Sequence, residues 1–277
     1  MSEAKIPLAG VIGNPIAHSK SPLLHGHWLK TLGIAGHYVP LHVEEDQLEA
    51  VIRMMPKMGF VGANVTIPHK EAVMKIADQV TDRAKLMGAA NTLIFRPDGS
   101  IMADNTDGYG FLTNLVAGAP DWDPKSGPAV VLGAGGACRA VIASLLEAGV
   151  PEIILTNRTR DRAEQLKSDF GGKVRVEEWV QAGNLLEEGK LVVNTTSLGM
   201  VGKPRLRIPL DGIRKDAVVT DLIYTPLKTD LLTTAEELGC TTVDGLGMLI
   251  HQAVPGFERW FGTKPDVTED TRAAILG

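Results

Sequence analysis

The sequence predicts an α/β protein of two domains built on mainly parallel sheets. Three observations predict it. Short β-branched runs alternate with helical patterns along the chain. A length of 277 residues suits two domains of ordinary size, with one large domain as the alternative. The stretch AGAPDWDPKSG, residues 117–127, is rich in Pro, Gly and Asp and has no periodicity, as expected of a boundary.

Before that boundary, strands are predicted at 6–13, 37–43, 62–67, 92–95 and 101–104. Helices fit between them at 22–31, 46–57, 70–76, 82–87 and 107–116. Ser21 and Pro22 give the first helix its start, serine as N-cap and proline at the first helical position. Asp98-Gly99 is the tight turn of a hairpin joining 92–95 to 101–104. After the boundary, 128–159 has the order strand, glycine turn, helix, strand: one βαβ unit. Further strands are expected at 174–176, 191–195, 218–222 and 241–243, and a helical tail at 248–261 and 269–276.

Composition narrows the function classes. Hydrophobic content of 44% with 22% charged residues is that of a globular, water-exposed chain. A net charge of −5 gives no reason to expect nucleic acid or an anionic membrane as partner. No apolar run is long enough to span a bilayer. The segment MSEAKIPLAGVIG lacks a basic region ahead of a long apolar core, so a secretory signal is not expected and the cytoplasm is the simplest setting. Two cysteines, Cys138 and Cys240, make neither a disulfide framework nor a metal cluster, and no metal is expected.

The glycine turn carries the first chemical signal. GAGGACRA, residues 133–140, lies between the strand AVVL and a helix. Gly133 permits a tight turn, and Gly135 lets backbone approach a pyrophosphate seated on the helix N-terminus. The third glycine of the usual fingerprint is replaced by Cys138. In this strand–turn–helix setting the motif points to a dinucleotide; a glycine turn that only packs tightly is the alternative. The end of the second strand selects the cofactor. It lacks the acid that would bond a ribose 2′-hydroxyl and has Asn157-Arg158-Thr159-Arg160 with Arg162 close by. Arginine there can clamp a 2′-phosphate, which favours NADP; an ordinary solvated helix start is the bland reading.

The first half holds a second polar set. NVTIPHK, 64–70, carries a strand to its end and places Lys70 where open α/β sheets bind ligands. In an extended loop Ser19 and Ser21 point the same way, and two hydroxyls can share a carboxylate. Asp107 opens a helix and serves either as a cap or, with a lysine, in proton transfer. Taken singly, each of these has a structural explanation: Ser19 as a loop serine, His18 as a loop-ordering side chain, Lys70 as a solvated charge.

Taken together, the motifs resemble the shikimate dehydrogenase family. GNPIAHSKSPLLH at 13–25, NVTIPHK at 64–70, GAANT at 88–92, NTDGYGF at 105–111, GAGGACRA at 133–140, NRT at 157–159, NTTSLGM at 194–200, DLIYTPLKT at 221–229 and GLGMLIHQA at 245–253 stand in family order and cover essentially the whole chain. The resemblance implies a substrate-binding and catalytic domain from residues 1–116 and 246–277, whose C-terminal helices return to it, and a Rossmann-type NADP-binding domain from 117–245. It implies reversible reduction of 3-dehydroshikimate to shikimate with NADPH, in aromatic amino-acid biosynthesis. By position, Lys70 and Asp107 would be the catalytic pair, Ser19, Ser21 and Tyr224 would hold the carboxylate, and Thr66, Asn91 and Gln252 would bond the ring hydroxyls. Gly133, Ala134, Gly135, Gly136 and Ala137 of the glycine loop, with Asn157, Arg158, Thr159 and Arg162, would hold NADP. Thr195, Gly245 and Met248 would line the nicotinamide side.

Two departures stand out. Gly26 occupies a position where the family commonly has asparagine, and VGKPRLRIP at 201–209 is unusually basic: either a phosphate contact or a solvated loop. The rival readings are a quinate/shikimate dehydrogenase with relaxed substrate or NAD use, and a non-catalytic Rossmann ligand sensor. Both a monomer and a homodimer fit the sequence.

Overall fold

A computed structural model of the chain describes residues 6–276. The chain divides into two compact units, one running to Thr106 and resuming at Ile250, the other Asp107–Leu249.

The first unit holds β1 (Leu8–Gly13), α1 (Ser21–Thr31), β2 (His37–His42), α2 (Leu48–Met54), β3 (Phe60–Val65), α3 (Val73–Ile76), β4 (Gln79–Val80), α4 (Asp82–Met87), β5 (Thr92–Phe95) and β6 (Ile101–Asp104). The second holds α5 (Asp107–Gly118), β7 (Ala129–Leu132), α6 (Gly136–Ala148), β8 (Ile153–Thr156), α7 (Arg160–Phe170), β9 (Val174–Glu177), α8 (Ala182–Leu185), β10 (Leu191–Asn194), β11 (Val218–Asp221), α9 (Asp230–Glu237) and β12 (Thr241–Val243). The boundary at Leu249 falls inside α10 (Leu246–His251), and α11 (Val254–Phe261) and α12 (Glu269–Leu276) belong to the first unit.

The sheet of the second unit runs β12-β11-β10-β7-β8-β9 and is parallel throughout. This is the doubly wound order in which strand sequence reverses between β7 and β10, and ligands bind outside the carboxyl ends at such a reversal. The strands read as continuous apolar runs because both faces are covered. Ala129 and Val131 face one core with Ile153, Leu155 and the inner side of α6, while Val130, Leu132 and Ile154 face the other with Leu185 and Leu232.

The first unit's sheet runs β2-β1-β3-β5-β6-β4. β1 is parallel to β2 and β3, and β4 to β6, while β5 is antiparallel to both its neighbours. The expected hairpin joins β5 to β6, its turn fixed by Asp98 Oδ1, which accepts from the Ser100 N–H and hydroxyl. The C-terminal helices return here. Trp260 Nε1 donates to the Leu93 carbonyl at 3.0 Å, and Arg259 Nη1 reaches Asp104 at 3.1 Å. Asp104 is fully buried; burial pushes its carboxyl up, but bonds from Arg83 and Thr81 outweigh this and hold it below the usual carboxylate range.

Three predicted helices are shorter or broken. The stretch 70–76 is helical only over Val73–Ile76, because His69 Nε2 donates to the Val43 carbonyl at 2.8 Å and fixes a turn first. The stretch 46–57 is α-helical only over Leu48–Met54, with tighter turns on both sides and Pro56 in the second of these. The stretch 248–261 divides into α10 and α11, since Pro255 in the first turn of α11 has no N–H to continue a helix from before it. The two-residue strand β4 carried no sequence signal. No helix among the described residues is long and apolar enough to cross a membrane.

Candidate functional site

A cavity of about 680 Å³ opens in the second unit at the strand-order reversal. Gly133, Ala134, Gly135, Asn157, Arg158, Arg162 and Thr195 all line it, so three segments far apart in sequence meet at one cavity. Gly133 sits at φ +103°, and a Cβ there would meet Thr196 Cγ2 at 2.6 Å, so turn and close approach both demand glycine. Gly135 is the N-cap of α6, with no side-chain cap over the helix N–H groups and open space where a Cβ would point. Asn157 Oδ1 accepts from Ala134 N at 3.2 Å and its amide donates to the Thr159 carbonyl at 2.7 Å, fixing the end of β8 against the glycine turn. Thr195 donates its hydroxyl to the Leu132 carbonyl at 2.9 Å, tying the end of β10 to the end of β7.

The arginines after β8 divide their roles. Arg160 bonds Glu178 at 2.5 Å and Glu164 at 2.8 Å. Arg158 and Arg162 have no ion pair among the described residues, and no carboxylate lines the cavity. A carboxylate-free wall with two uncommitted guanidiniums, beside an uncapped thirteen-residue helix N-terminus, fits the phosphates of a dinucleotide. Cys138, in the place of the third glycine, is fully buried, and burial pushes its thiol up to about 12; it packs rather than reacts.

The remaining expected cofactor residues lie outside this cavity's lining. Gly136 opens α6 with Ala137 following it, and Thr159 is the N-cap of α7. Gly245 is buried with a Cβ position 2.4 Å from the Leu222 carbonyl, and Met248 packs against the core beside α5 and α6. Sequence reasoning passed over Trp179, Thr196, Ser197 and Leu198, which also line the cavity. The last three belong to the NTTSLGM motif, a signal that was present. That loop is held by Asn194, which accepts from Thr196 N and Oγ1 and donates to Asp221 Oδ1. Burial pushes the Asp221 carboxyl up. Trp179 carried no signal: it comes to the cavity only because its turn packs on the sheet.

In the first unit, Asn91 and Gln252 meet: Asn91 Nδ2 donates to Gln252 Oε1 at 3.2 Å across a separation of 161 residues. Asn91 Oδ1 accepts from Thr106 N at 3.0 Å, Thr106 Oγ1 at 3.1 Å and Thr92 Oγ1 at 2.9 Å. The Lys70 carbonyl accepts from Ala90 N at 2.8 Å, which fixes the lysine's backbone next to Asn91. Asp107 follows Thr106 directly. Thr66 and Lys70 are half-buried on the turn after β3.

The serine loop differs from expectation. It is not extended: Ser19 N–H bonds the Ile16 carbonyl at 3.0 Å, and Ser19 Oγ accepts from Ser21 N at 3.3 Å. Ser21 is the first residue of α1 rather than its N-cap, because Lys20 already has helical backbone angles. Both serines remain half-buried. Tyr224 lies in the second unit on the loop after β11, 39% exposed. At Gly26 a Cβ would meet nothing, so the surface there is open. Among the described residues no group of three or more His, Cys, Asp or Glu side chains could hold a metal.

Comparison with known proteins agrees with this geometry. Residues 11–93 match the family described as the shikimate dehydrogenase substrate binding domain, 121–201 the family shikimate / quinate 5-dehydrogenase, and 245–276 the shikimate 5′-dehydrogenase C-terminal domain. The shikimate dehydrogenase (NADP(+)) of Ruegeria sp. (strain TM1040) is 72% identical over 276 residues, covering 100% of both chains. The shikimate 5-dehydrogenase of Thermus thermophilus, solved with NADP(H) and shikimate, superposes with a TM-score of 0.85 at 35% identity, covering 98% of each chain. A quinate dehydrogenase from Corynebacterium glutamicum in complex with NAD superposes with a TM-score of 0.90 at 31% identity, covering 98% of this chain and 99% of its own. Fold likeness thus spans both substrates and both cofactors, while end-to-end identity falls with the NADP-dependent enzyme: the chain belongs to the shikimate dehydrogenase family.

Proposed function

We propose that the protein reduces 3-dehydroshikimate reversibly to shikimate with NADPH, in the cytoplasm, as a step of aromatic amino-acid biosynthesis. The observation that carries this reading is the arginine arrangement after β8, where Arg160 is neutralised by two glutamates and Arg158 and Arg162 face a carboxylate-free cavity. The first unit takes the substrate and the second the dinucleotide, as monomer or homodimer.

The hydride comes from the nicotinamide of bound NADPH. The chain's own task is to orient the ketone and manage the charge that develops on its oxygen. Lys70 supplies a cation for that oxygen and exchanges a proton with it, with Asp107 as the second member of the proton-transfer pair. Support comes from the backbone: the Lys70 carbonyl bonds Ala90, the adjacent Asn91 holds Thr106 by two bonds, and Asp107 is next in the chain. Asn91 and Gln252, already bonded to one another, present an amide pair suited to ring hydroxyls. Thr66 joins them at the end of β3, and Ser19, Ser21 and Tyr224 supply hydroxyls for the carboxylate. In the second unit Thr195, Gly245 and Met248 flank the nicotinamide; the glycine turn, with Asn157 and Thr159 bracing it, takes the diphosphate.

Absorbance at the NADPH band tests the reading, with shikimate and quinate each offered with NADP and NAD. Turnover with shikimate and NADP well above the other three combinations is the expected result. Equal turnover with quinate or NAD would place the protein in the broader quinate/shikimate class, and none at all would leave a ligand sensor.

A further inference from the structure

The basic segment after β10 is not a loose loop. Gly199 N donates to the Pro204 carbonyl at 2.8 Å and Lys203 N to the Met200 carbonyl at 2.9 Å, closing a compact turn. Beyond it the chain alternates. Leu206 and Ile208, partly buried, pack against the core formed by one face of the second sheet, and Arg205 and Arg207, which alternate with them, are exposed. Side chains that alternate in this way point to opposite sides of an extended backbone. The two apolar residues therefore anchor the segment and turn both arginines outward together. Arg205 and Arg207 line the same cavity as Arg158 and Arg162.

The charge arrangement there is unusual for this protein. The chain as a whole carries a net charge of −5, yet four guanidiniums converge on a wall without a carboxylate. Arg207 has no ion pair among the described residues. Arg205 lies 3.6 Å from Asp230, both side chains more than half exposed, an interaction that holds it weakly. A diphosphate has its own donors at the N-terminus of α6, so additional cations in this wall answer to an additional phosphate.

We propose that Arg205 and Arg207 form a second clamp on the 2′-phosphate of NADP, opposite Arg158 and Arg162, and that this pair raises the selectivity of this chain for NADP over NAD. The proposal rests on the NADP reading above. Leu206 and Ile208 make the clamp rigid, so the arginines are held near the phosphate before it arrives.

The test is calorimetric binding of NADP+ and NAD+ to the wild type, to R205Q, to R207Q and to the double variant R205Q/R207Q. Glutamine is shorter and uncharged but keeps an exposed polar side chain and leaves the apolar anchors in place. The double variant is expected to bind NADP+ about tenfold or more weakly, the scale of a lost charged bond, with NAD+ affinity unchanged within about twofold. The NADP+ affinity of the wild type should also fall more steeply with salt than that of the double variant. Unchanged NADP+ affinity in the double variant, with the wild type still preferring NADP+, overturns this proposal alone. Equal losses for both dinucleotides overturn it in favour of a diphosphate contact. A wild type that binds both equally well overturns the NADP reading and this proposal with it.

Discussion

His25 is a titratable side chain removed from water by its own element and its neighbours. It is fully buried on α1, stacked on Tyr38 with ring centroids 3.9 Å apart and bordered by Trp28, Phe257 and Trp260. Among the described residues neither ring nitrogen has a partner at hydrogen-bond geometry. Burial lowers its pKa to about 3, with the nearby Asn64 side chain opposing this only in part. The unfolded chain, with an ordinary histidine, takes up a proton below about pH 6.5, and the native chain does not until about pH 3. Protons therefore favour the unfolded state across that interval. This contribution to stability is complete above about pH 6.5 and declines as pH falls. The decline is about 1.4 kcal/mol per pH unit, so about 2 kcal/mol at about pH 5. His25→Phe keeps an aromatic stack and cannot titrate. Urea unfolding at about pH 7.5 and about pH 5 should show the wild type losing about 2 kcal/mol more than the variant between the two. Carboxylates such as Asp104 are held low and contribute mainly below this window, and the half-buried His251 is common to both proteins. Equal losses in wild type and variant would refute the reasoning, because a histidine that charges freely in the native state cannot be sealed in this aromatic group.

Three other expectations follow from named contacts. Lys70→Ala should lower turnover by about 100-fold or more, the scale of a lost acid/base group, with NADPH binding by fluorescence intact; unchanged turnover would remove Lys70 from the chemistry. Arg158→Ala should weaken NADPH far more than NADH, whereas Arg160→Ala, whose guanidinium is already taken by Glu164 and Glu178, should leave the ratio of the two affinities unchanged. Asp104→Ala removes the buried acceptor shared by Arg83, Arg259 and Thr81 and should cost about 3 kcal/mol in denaturant unfolding, the lower end for a broken buried pair because both arginines reach solvent; a loss below about 0.5 kcal/mol would show that the docking of α11, which carries Arg259, does not depend on it.

Much of the dinucleotide half was legible in the chain because its signals are local. A βαβ unit is one contiguous segment, and the glycines of its turn are demanded by backbone geometry that a short window reveals, as the positive φ of Gly133 confirms. Arg158 and Arg162 were readable for the same reason: they follow the second strand directly. The sequence alone also marked 201–209 as unusually basic but left open what the charge was for.

Tertiary structure decided what no window contains. Asn91 and Gln252 are bonded across 161 residues, and no spacing rule links positions so far apart. That Arg160 is diverted to Glu178 depends on where the chain after β9 lies relative to the start of α7. That Arg205 and Arg207 face the cavity depends on Leu206 and Ile208 finding the core. Most elements, the family motifs and the kind of chemistry could be read from the chain order alone, because these follow from local backbone preference and residue type; the breaks at 70–72 and around Pro255, and the two-residue β4, could not. Only packing decided which charges are spent on neighbours and which remain for a ligand, because that depends on distances between segments the chain order keeps apart.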